Sequence, residues 1–98
     1  MSAYVVAQLR IHDRDRYDRY AQAFLPTLAP FAGRLLAADE APQVLEGAWS
    51  GQKLVLIGFP DRAAAKAWAA SPAYRAIAVD RLAASEAVVL LAEGFGAA

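Results

Sequence analysis

The stretch KLVLIGF, residues 53–59, decides the fold, because it is the strongest β-strand pattern in the chain. Leu54 to Ile57 is an unbroken apolar run, whereas a strand with one face in water alternates apolar and polar side chains. Tyr4 to Ala7 and Ala87 to Ala92 are unbroken in the same way. The sequence therefore predicts a sheet whose two faces are both buried.

Other strand patterns lie on both sides of this stretch, separated by turn residues and helical patterns. Asp39-Glu40-Ala41-Pro42 predicts a turn or bulge between two short extended pieces, and Ser50-Gly51 turns the chain into the central strand. The predicted strands are Ala3 to Leu9, Arg34 to Ala38, Gln43 to Ala48, Lys53 to Phe59 and Glu86 to Glu93.

A first helix follows the opening strand. Asp13 offers an N-cap, and Pro26 should kink or restart the helix near Leu25 because proline lacks the amide hydrogen that a helix needs. Gly33 is the residue predicted to end the helix at its C′ position. The apolar positions with helical spacing are Tyr17, Tyr20, Ala21, Phe24 and Leu28.

A second helical segment follows the central strand. Asp61 is predicted to cap a helix over Arg62 to Ala70, and Ser71-Pro72 restarts it with an N-cap serine and a first-turn proline. The complete order is strand, helix, strand hairpin, helix, strand. That order predicts an α+β fold, the ferredoxin-like split βαβ arrangement with an antiparallel sheet.

The predicted sheet needs more cover than the chain supplies. Two helical segments cover one face of a four-stranded sheet, and an open second face would expose more apolar surface than monomers usually tolerate. We expect the same face of a second copy to cover it across a two-fold axis, so that two subunits form a dimeric α/β barrel. A lipid surface and a different protein are the alternative covers.

Composition excludes several classes of protein. The 98 residues predict one domain over residues 1–98, with 58% apolar residues and ten acidic against ten basic side chains. We expect no nucleic-acid partner, since no basic excess is present. We also expect no membrane partner and no secretory signal. Together these expectations indicate a cytoplasmic protein. One histidine, no cysteine and no glycine-rich nucleotide motif predict no metal site and no cofactor.

Two residues are candidate catalytic groups. His12, the single histidine, lies where the first strand meets the first helix and is either a general base or an exposed loop residue. Glu46 shares a strand face with Val44 under period-2 alternation, so it points inward if Val44 does. A buried carboxylate needs a partner such as Arg81 or Arg34, or it is a candidate acid or base. The alternatives are a water-facing carboxylate and a structural ion pair.

A second group of residues is predicted to bind a ligand. Tyr17, Tyr20 and Tyr74 lie on apolar helix faces, where each phenol needs a hydrogen bond if it is buried. Together with Trp49 and Trp68 they would line an aromatic cavity, and the alternative is ordinary core packing. Arg81 shares a helix face with Tyr74 and would reach a ligand anion or Glu46, or else lie at the surface.

Ordered motifs along the chain resemble the domain-of-unknown-function family 1330, within the dimeric α/β-barrel superfamily. The resemblance covers residues 3–93 and departs from the family at Ala32, where the family usually has a glycine. The residues that carry it are Ala3 to Ala7, Asp13 with Tyr17 and Tyr20, Phe31 to Arg34, Val44 to Trp49, Ile57 to Pro60, and Ala67 to Tyr74.

The resemblance implies a fold more strongly than a reaction, because that family has no established activity. Its relatives by fold include cofactor-free monooxygenases, muconolactone-type isomerases and haem-binding chlorite dismutases. We therefore predict a homodimer with a small-molecule pocket, in which the ligand is a small organic compound, either aromatic or not. The alternatives are a cofactor-free monooxygenase or isomerase, and a non-catalytic binding or stress-related module.

Overall fold

Four antiparallel strands form one sheet in the computed structural model, which describes residues 2–95. Their spatial order is β2-β3-β1-β4, with β1 paired to both β3 and β4. The strands are β1 (Ala3–Ile11), β2 (Arg34–Asp39), β3 (Lys53–Phe59) and β4 (Ser85–Glu93). This order, with helices in both connections between strand pairs, is the ferredoxin-like topology that the sequence predicted.

Three helices begin where their capping residues predict. The Asp13 side chain accepts a hydrogen bond from the Arg16 amide at 3.2 Å, and Asp61 accepts one from the Ala64 amide at 2.8 Å. Ser71 caps the third helix in the same way. The helices are α1 (Arg14–Phe24), α2 (Arg62–Ala70) and α3 (Pro72–Ala84). None of them, and no other helix within residues 2–95, is long and apolar enough to cross a bilayer.

One face of the sheet, which we call the inner face, carries the helices. Val5, Ala7 and Leu9 of β1 and Ile57 and Phe59 of β3 are buried there. They form a single core cluster with buried side chains from all three helices. The helix side chains in this cluster are Tyr17, Tyr20, Phe24, Ala65, Trp68, Tyr74, Ala78 and Ala84.

The opposite face, which we call the outer face, is also apolar but has no helix over it within residues 2–95. Strand alternation places Val6 and Leu56 directly opposite each other there, with Leu90 beside Val6 on β4. Leu90 is 53% exposed and Val88, two residues earlier, 56%. The described part of the chain measures 36 × 35 × 16 Å. Its smallest dimension, 16 Å, is the thickness of one helix layer on one sheet.

The hairpin differs from its prediction. Gln43 to Ala48 is not a strand, and β2 pairs directly with β3 across a connection that spans residues 40–52. Two features oppose a strand here, since Pro42 lacks an amide donor and Gly47 has a φ of 89°. The end of α1 agrees with its prediction: Pro26 lies in a single 3₁₀ turn, Leu25–Thr27, which follows Phe24.

The turn before β2 also differs from its prediction. Ala32, not Gly33, has the left-handed conformation, with φ 54° and ψ 31°, at the end of a second 3₁₀ turn, Ala29–Phe31. Gly33 has a different role. A Cβ atom at this position would lie 2.7 Å from Cε1 of Phe59 and 3.0 Å from Cδ2 of Leu28, so glycine is required for close packing.

Ala32→Gly should therefore stabilise the protein by about 0.5–1 kcal/mol. A left-handed L-residue costs about 1–2 kcal/mol, which exceeds the roughly 0.5–1 kcal/mol that glycine loses through backbone entropy. Urea denaturation measures the change. As a matched control, Ala29→Gly in the preceding turn should destabilise the protein, because Ala29 does not have positive φ. A loss of stability in Ala32→Gly would contradict the assignment.

Candidate functional site

A cavity of about 490 Å³ lies between the helices and the inner face of the sheet. Most of its wall is apolar and comes from β1, β3 and the three helices. Apart from the indole of Trp68, the polar side chains on the wall are phenols and cations. They are Tyr17, Tyr20, Tyr74, Lys53, Arg75 and Arg81.

Two phenols and a guanidinium form a hydrogen-bonded chain at this wall. The hydroxyl oxygens of Tyr20 and Tyr74 lie 3.0 Å apart, and Arg81 Nε donates to the Tyr74 hydroxyl at 3.3 Å. Tyr20 comes from α1, whereas Tyr74 and Arg81 are one face of α3, seven residues apart. The contact between α1 and α3 therefore assembles the chain, and both phenols have the partner that burial demands.

Trp68 of α2 closes the cavity beside Tyr74. The centroids of the two rings are 4.1 Å apart, and the indole Nε1 donates to Oγ1 of Thr27 at 3.0 Å. Thr27 in turn donates to the Phe24 carbonyl at 2.7 Å. This pair of hydrogen bonds holds the indole in one orientation, so Trp68 is a rigid part of the wall.

Lys53 is a cavity residue that the sequence analysis did not single out. It is 9% exposed, and its Nζ lies 4.7 Å from the centroid of the Tyr17 ring. Burial lowers the pKa of Lys53, while Glu40 at 3.9 Å opposes that change. The alternation of β3 would have indicated this position from the sequence, because it places Lys53 on the same face as Val55, Ile57 and Phe59.

Glu40 pairs more closely with Arg14 than with Lys53. Both oxygens of Glu40 accept from the Arg14 guanidinium at 2.6 Å, in a bidentate pair. That hydrogen bonding is the main reason why the pKa of Glu40 lies below its usual value. Lys53 is thus a nearly buried cation whose nearest carboxylate is already bound by a second cation.

Two phenols of the cavity, Tyr17 and Tyr20, are donors at neutral pH. Burial raises the pKa of Tyr17 to about 12, and burial together with the neighbouring Tyr74 hydroxyl raises that of Tyr20 further above its usual value. Neither hydroxyl therefore acts as a base near pH 7. Each is suited to donate a hydrogen bond to an oxygen or nitrogen acceptor of a ligand.

The structure brings four of the seven predicted site residues to this cavity and separates three from it. Tyr17, Tyr20, Tyr74 and Arg81 line the cavity, as described above. Trp49 lies over the outer face, where its Nε1 donates to Oε1 of Gln8 at 3.2 Å. Glu46 and His12 are exposed, Glu46 in the connection between β2 and β3 and His12 just after β1.

The difference between the predicted and the observed position of Glu46 has a definite cause. Its predicted inward orientation depended on strand alternation, and the segment around it is not paired to any strand. Within residues 2–95, no three histidine, aspartate or glutamate side chains are close enough together to hold a metal ion.

The raised pKa of Tyr17 predicts a loss of stability in alkaline solution. A buried phenol whose folded pKa is about 12, against about 10 when unfolded, contributes stability that is complete below pH 10 and lost as the pH rises to about 12. We expect the free energy of unfolding to fall in that window. Tyr17→Phe should remove up to about 1.4 kcal/mol per pH unit of that fall. Urea titrations at several pH values measure it, and equal slopes in both proteins would contradict it.

Solved structures of several bacterial proteins share this fold. A protein of unknown function from Rhodopseudomonas palustris, RPA0582, is 15% identical with a TM-score of 0.80, and the match covers 98% of this chain and 84% of that one. A dimeric ferredoxin-like protein of unknown function from Jannaschia is 21% identical with a TM-score of 0.70, covering 96% and 100%. Identities this low show a common fold and nothing about ligand or reaction.

A third similar structure belongs to an enzyme. SnoaB from Streptomyces nogalater, described as a cofactor-independent oxygenase, was solved as the mutant N63A and is 17% identical with a TM-score of 0.62, covering 98% of this chain and 95% of that one. No functionally curated protein matches the sequence. The sequence pattern of the family described as "Domain of unknown function (DUF1330)" matches residues 2–95, and the chain therefore belongs to that family.

Proposed function

We propose that this protein binds a small and largely aromatic organic molecule in the cavity between its helices and sheet. The observation that carries the proposal is the combination of an apolar wall with a phenol pair of defined orientation. Binding sites for small molecules have this composition, with many apolar side chains and a few fixed polar groups. The rings of Tyr20, Tyr74 and Trp68 supply faces and edges on which an aromatic ligand would stack.

We propose further that two copies of the chain pair through the outer face of the sheet. No helix of residues 2–95 covers the apolar side chains there, Val88 and Leu90 are more than half exposed, and exposed apolar patches of this kind mark interaction surfaces. The Jannaschia structure, which has the same fold, is described as dimeric. An isologous two-fold contact covers both sheets with one interface, whereas a different protein or a lipid surface would need a second component.

A cofactor-free oxygenase or isomerase is the alternative that the Streptomyces enzyme favours. Such a reaction needs a proton acceptor and a group that stabilises the resulting oxyanion. Glu46 and His12, our candidate acceptors from the sequence, lie outside the cavity, whereas Lys53 is a titratable amine on its wall. Tyr20, Tyr74 and Arg81 would stabilise the oxyanion. Oxygen uptake or product formation with a bound ligand separates this alternative from a non-catalytic binding or stress-related module.

Filling the cavity should abolish binding. Ala78 is 7% exposed on α3 and lines the cavity, so Ala78→Leu places three additional carbon atoms in the ligand's space. We expect the neutral fluorescent dye N-phenyl-1-naphthylamine to bind the wild-type protein and to bind Ala78→Leu about tenfold or more weakly. Dye titration measures both, with circular dichroism to establish that the variant is folded.

Ala63→Leu is the matched control for that experiment. Ala63 is an exposed residue of α2 that does not line the cavity, so the same substitution there should leave dye affinity unchanged. The proposed cavity would be wrong if the wild-type protein failed to bind the dye at its solubility limit. Equal affinity in the wild-type protein and Ala78→Leu would also contradict it.

The proposed dimer is tested by placing one charge on the outer face. Leu90→Lys would bury an unpaired ammonium group in the interface, at a cost of several kcal/mol, so the variant should be a monomer. Val79→Lys is the control, since Val79 of α3 is exposed to a similar extent, 58%, but does not lie on the sheet. Light scattering after size exclusion reports the masses. A monomeric wild-type protein at micromolar concentration, or a dimeric Leu90→Lys, would refute the interface.

A further inference from the structure

Resting on the proposed cavity, we infer that its ligand is an organic anion whose acidic oxygen is bound by Tyr20, Tyr74 and Arg81. The ligand class is a planar apolar body with one carboxylate or enolate group. Three independent observations lead to it, namely the hydrogen-bond protons at this wall, the charges of the cavity, and the absence of a carboxylate beside Arg81.

The proton count of the phenol pair leaves one donor unused. The two hydroxyls carry two protons, and one of them lies between the oxygens that are 3.0 Å apart. Arg81 Nε supplies its own proton to the Tyr74 oxygen. Whichever phenol donates to the other, the second O–H has no acceptor among the side chains of residues 2–95. A ligand that offers an acceptor completes the chain, whereas a ligand that offers only donors does not.

The charges at the cavity have one sign. Lys53, Arg75 and Arg81 line it, and no aspartate or glutamate is among its lining residues. A cationic ligand would meet like charges on the wall, since Glu40, the carboxylate nearest Lys53, lies outside the lining and is bound by Arg14. An anion would gain attraction from the same groups.

Arg81 is the cation placed to meet the anion directly. It forms no ion pair with any carboxylate of residues 2–95, although Asp80 is adjacent in sequence. Asp80 pairs instead with Arg16 at 2.9 Å and Arg19 at 3.6 Å. The guanidinium uses Nε for the Tyr74 hydroxyl, which leaves its two NH₂ groups to bind a carboxylate or enolate oxygen.

The test compares three probes that share one apolar body. They are 2-naphthoate, the neutral 2-naphthamide and the cationic 2-naphthylmethylammonium, titrated calorimetrically into the complete protein at pH 7. We expect naphthoate to bind about tenfold or more tightly than naphthamide, which is the size of one charge-assisted hydrogen bond. The cation should bind more weakly than the amide.

Variants then locate the preference. Arg81→Met keeps the apolar stem and removes the charge, so naphthoate and naphthamide should bind it about equally, while Arg81→Lys should keep part of the preference. Removing both hydroxyls, in Tyr20→Phe/Tyr74→Phe, should reduce the preference severalfold because the pair then offers no O–H donor to the anion. Arg62→Met removes the same charge from an exposed site outside the cavity and should leave the preference unchanged.

The outcomes separate this inference from the function on which it rests. Equal binding of naphthoate and naphthamide to the wild-type protein, or a preference that survives Arg81→Met, would overturn the anion site and leave the cavity proposal standing. If none of the three probes binds, the cavity proposal fails as well. The wild-type comparison decides between these results even if a variant does not fold.

Discussion

The structure depends on one imbalance: the sheet is apolar on two faces, and the helices of the chain cover one. On the covered side, Val5, Leu9 and Ile57 pack against α1, α2 and α3 into a continuous core. On the other side, Val6 and Leu56 are half-buried, Leu90 is exposed, and no helix of residues 2–95 lies over them. Since apolar burial is the main source of stability in so small a chain, the uncovered face is a surface that association would stabilise.

The inner side is not simply a filled core. Its aromatic side chains leave a cavity, and four polar side chains at the cavity wall are held by hydrogen bonds to other side chains. Tyr20 bonds to Tyr74, Arg81 bonds to Tyr74, and Trp68 bonds to Thr27. These hydrogen bonds orient the side chains before a ligand arrives, and one O–H of the phenol pair still lacks an acceptor among the side chains of residues 2–95. Such preorganisation is what a binding site requires.

Local rules predicted most elements but not the site as a whole. The strand runs, the N-caps at Asp13, Asp61 and Ser71, and the resemblance to the family each reported correctly on the fold. Strand alternation failed for Glu46 because Gln43 to Ala48 is not paired, and period-2 reasoning holds only for a paired strand. The same alternation places Lys53 on the inner face, because its strand is paired. Lys53 was missed because a charged residue was not expected on that face.

The sequence by itself determined the order of the elements, the residues that begin the helices, and the two-sided apolar character of the sheet, because each of these properties depends on near neighbours in the chain. Only the tertiary structure decided which side chains meet. The Tyr20 and Tyr74 hydroxyls are 54 residues apart in sequence, and Trp49 and Trp68 lie on opposite faces of one sheet. Such contacts follow from how elements pack across the sheet, and no periodicity within a single element encodes them.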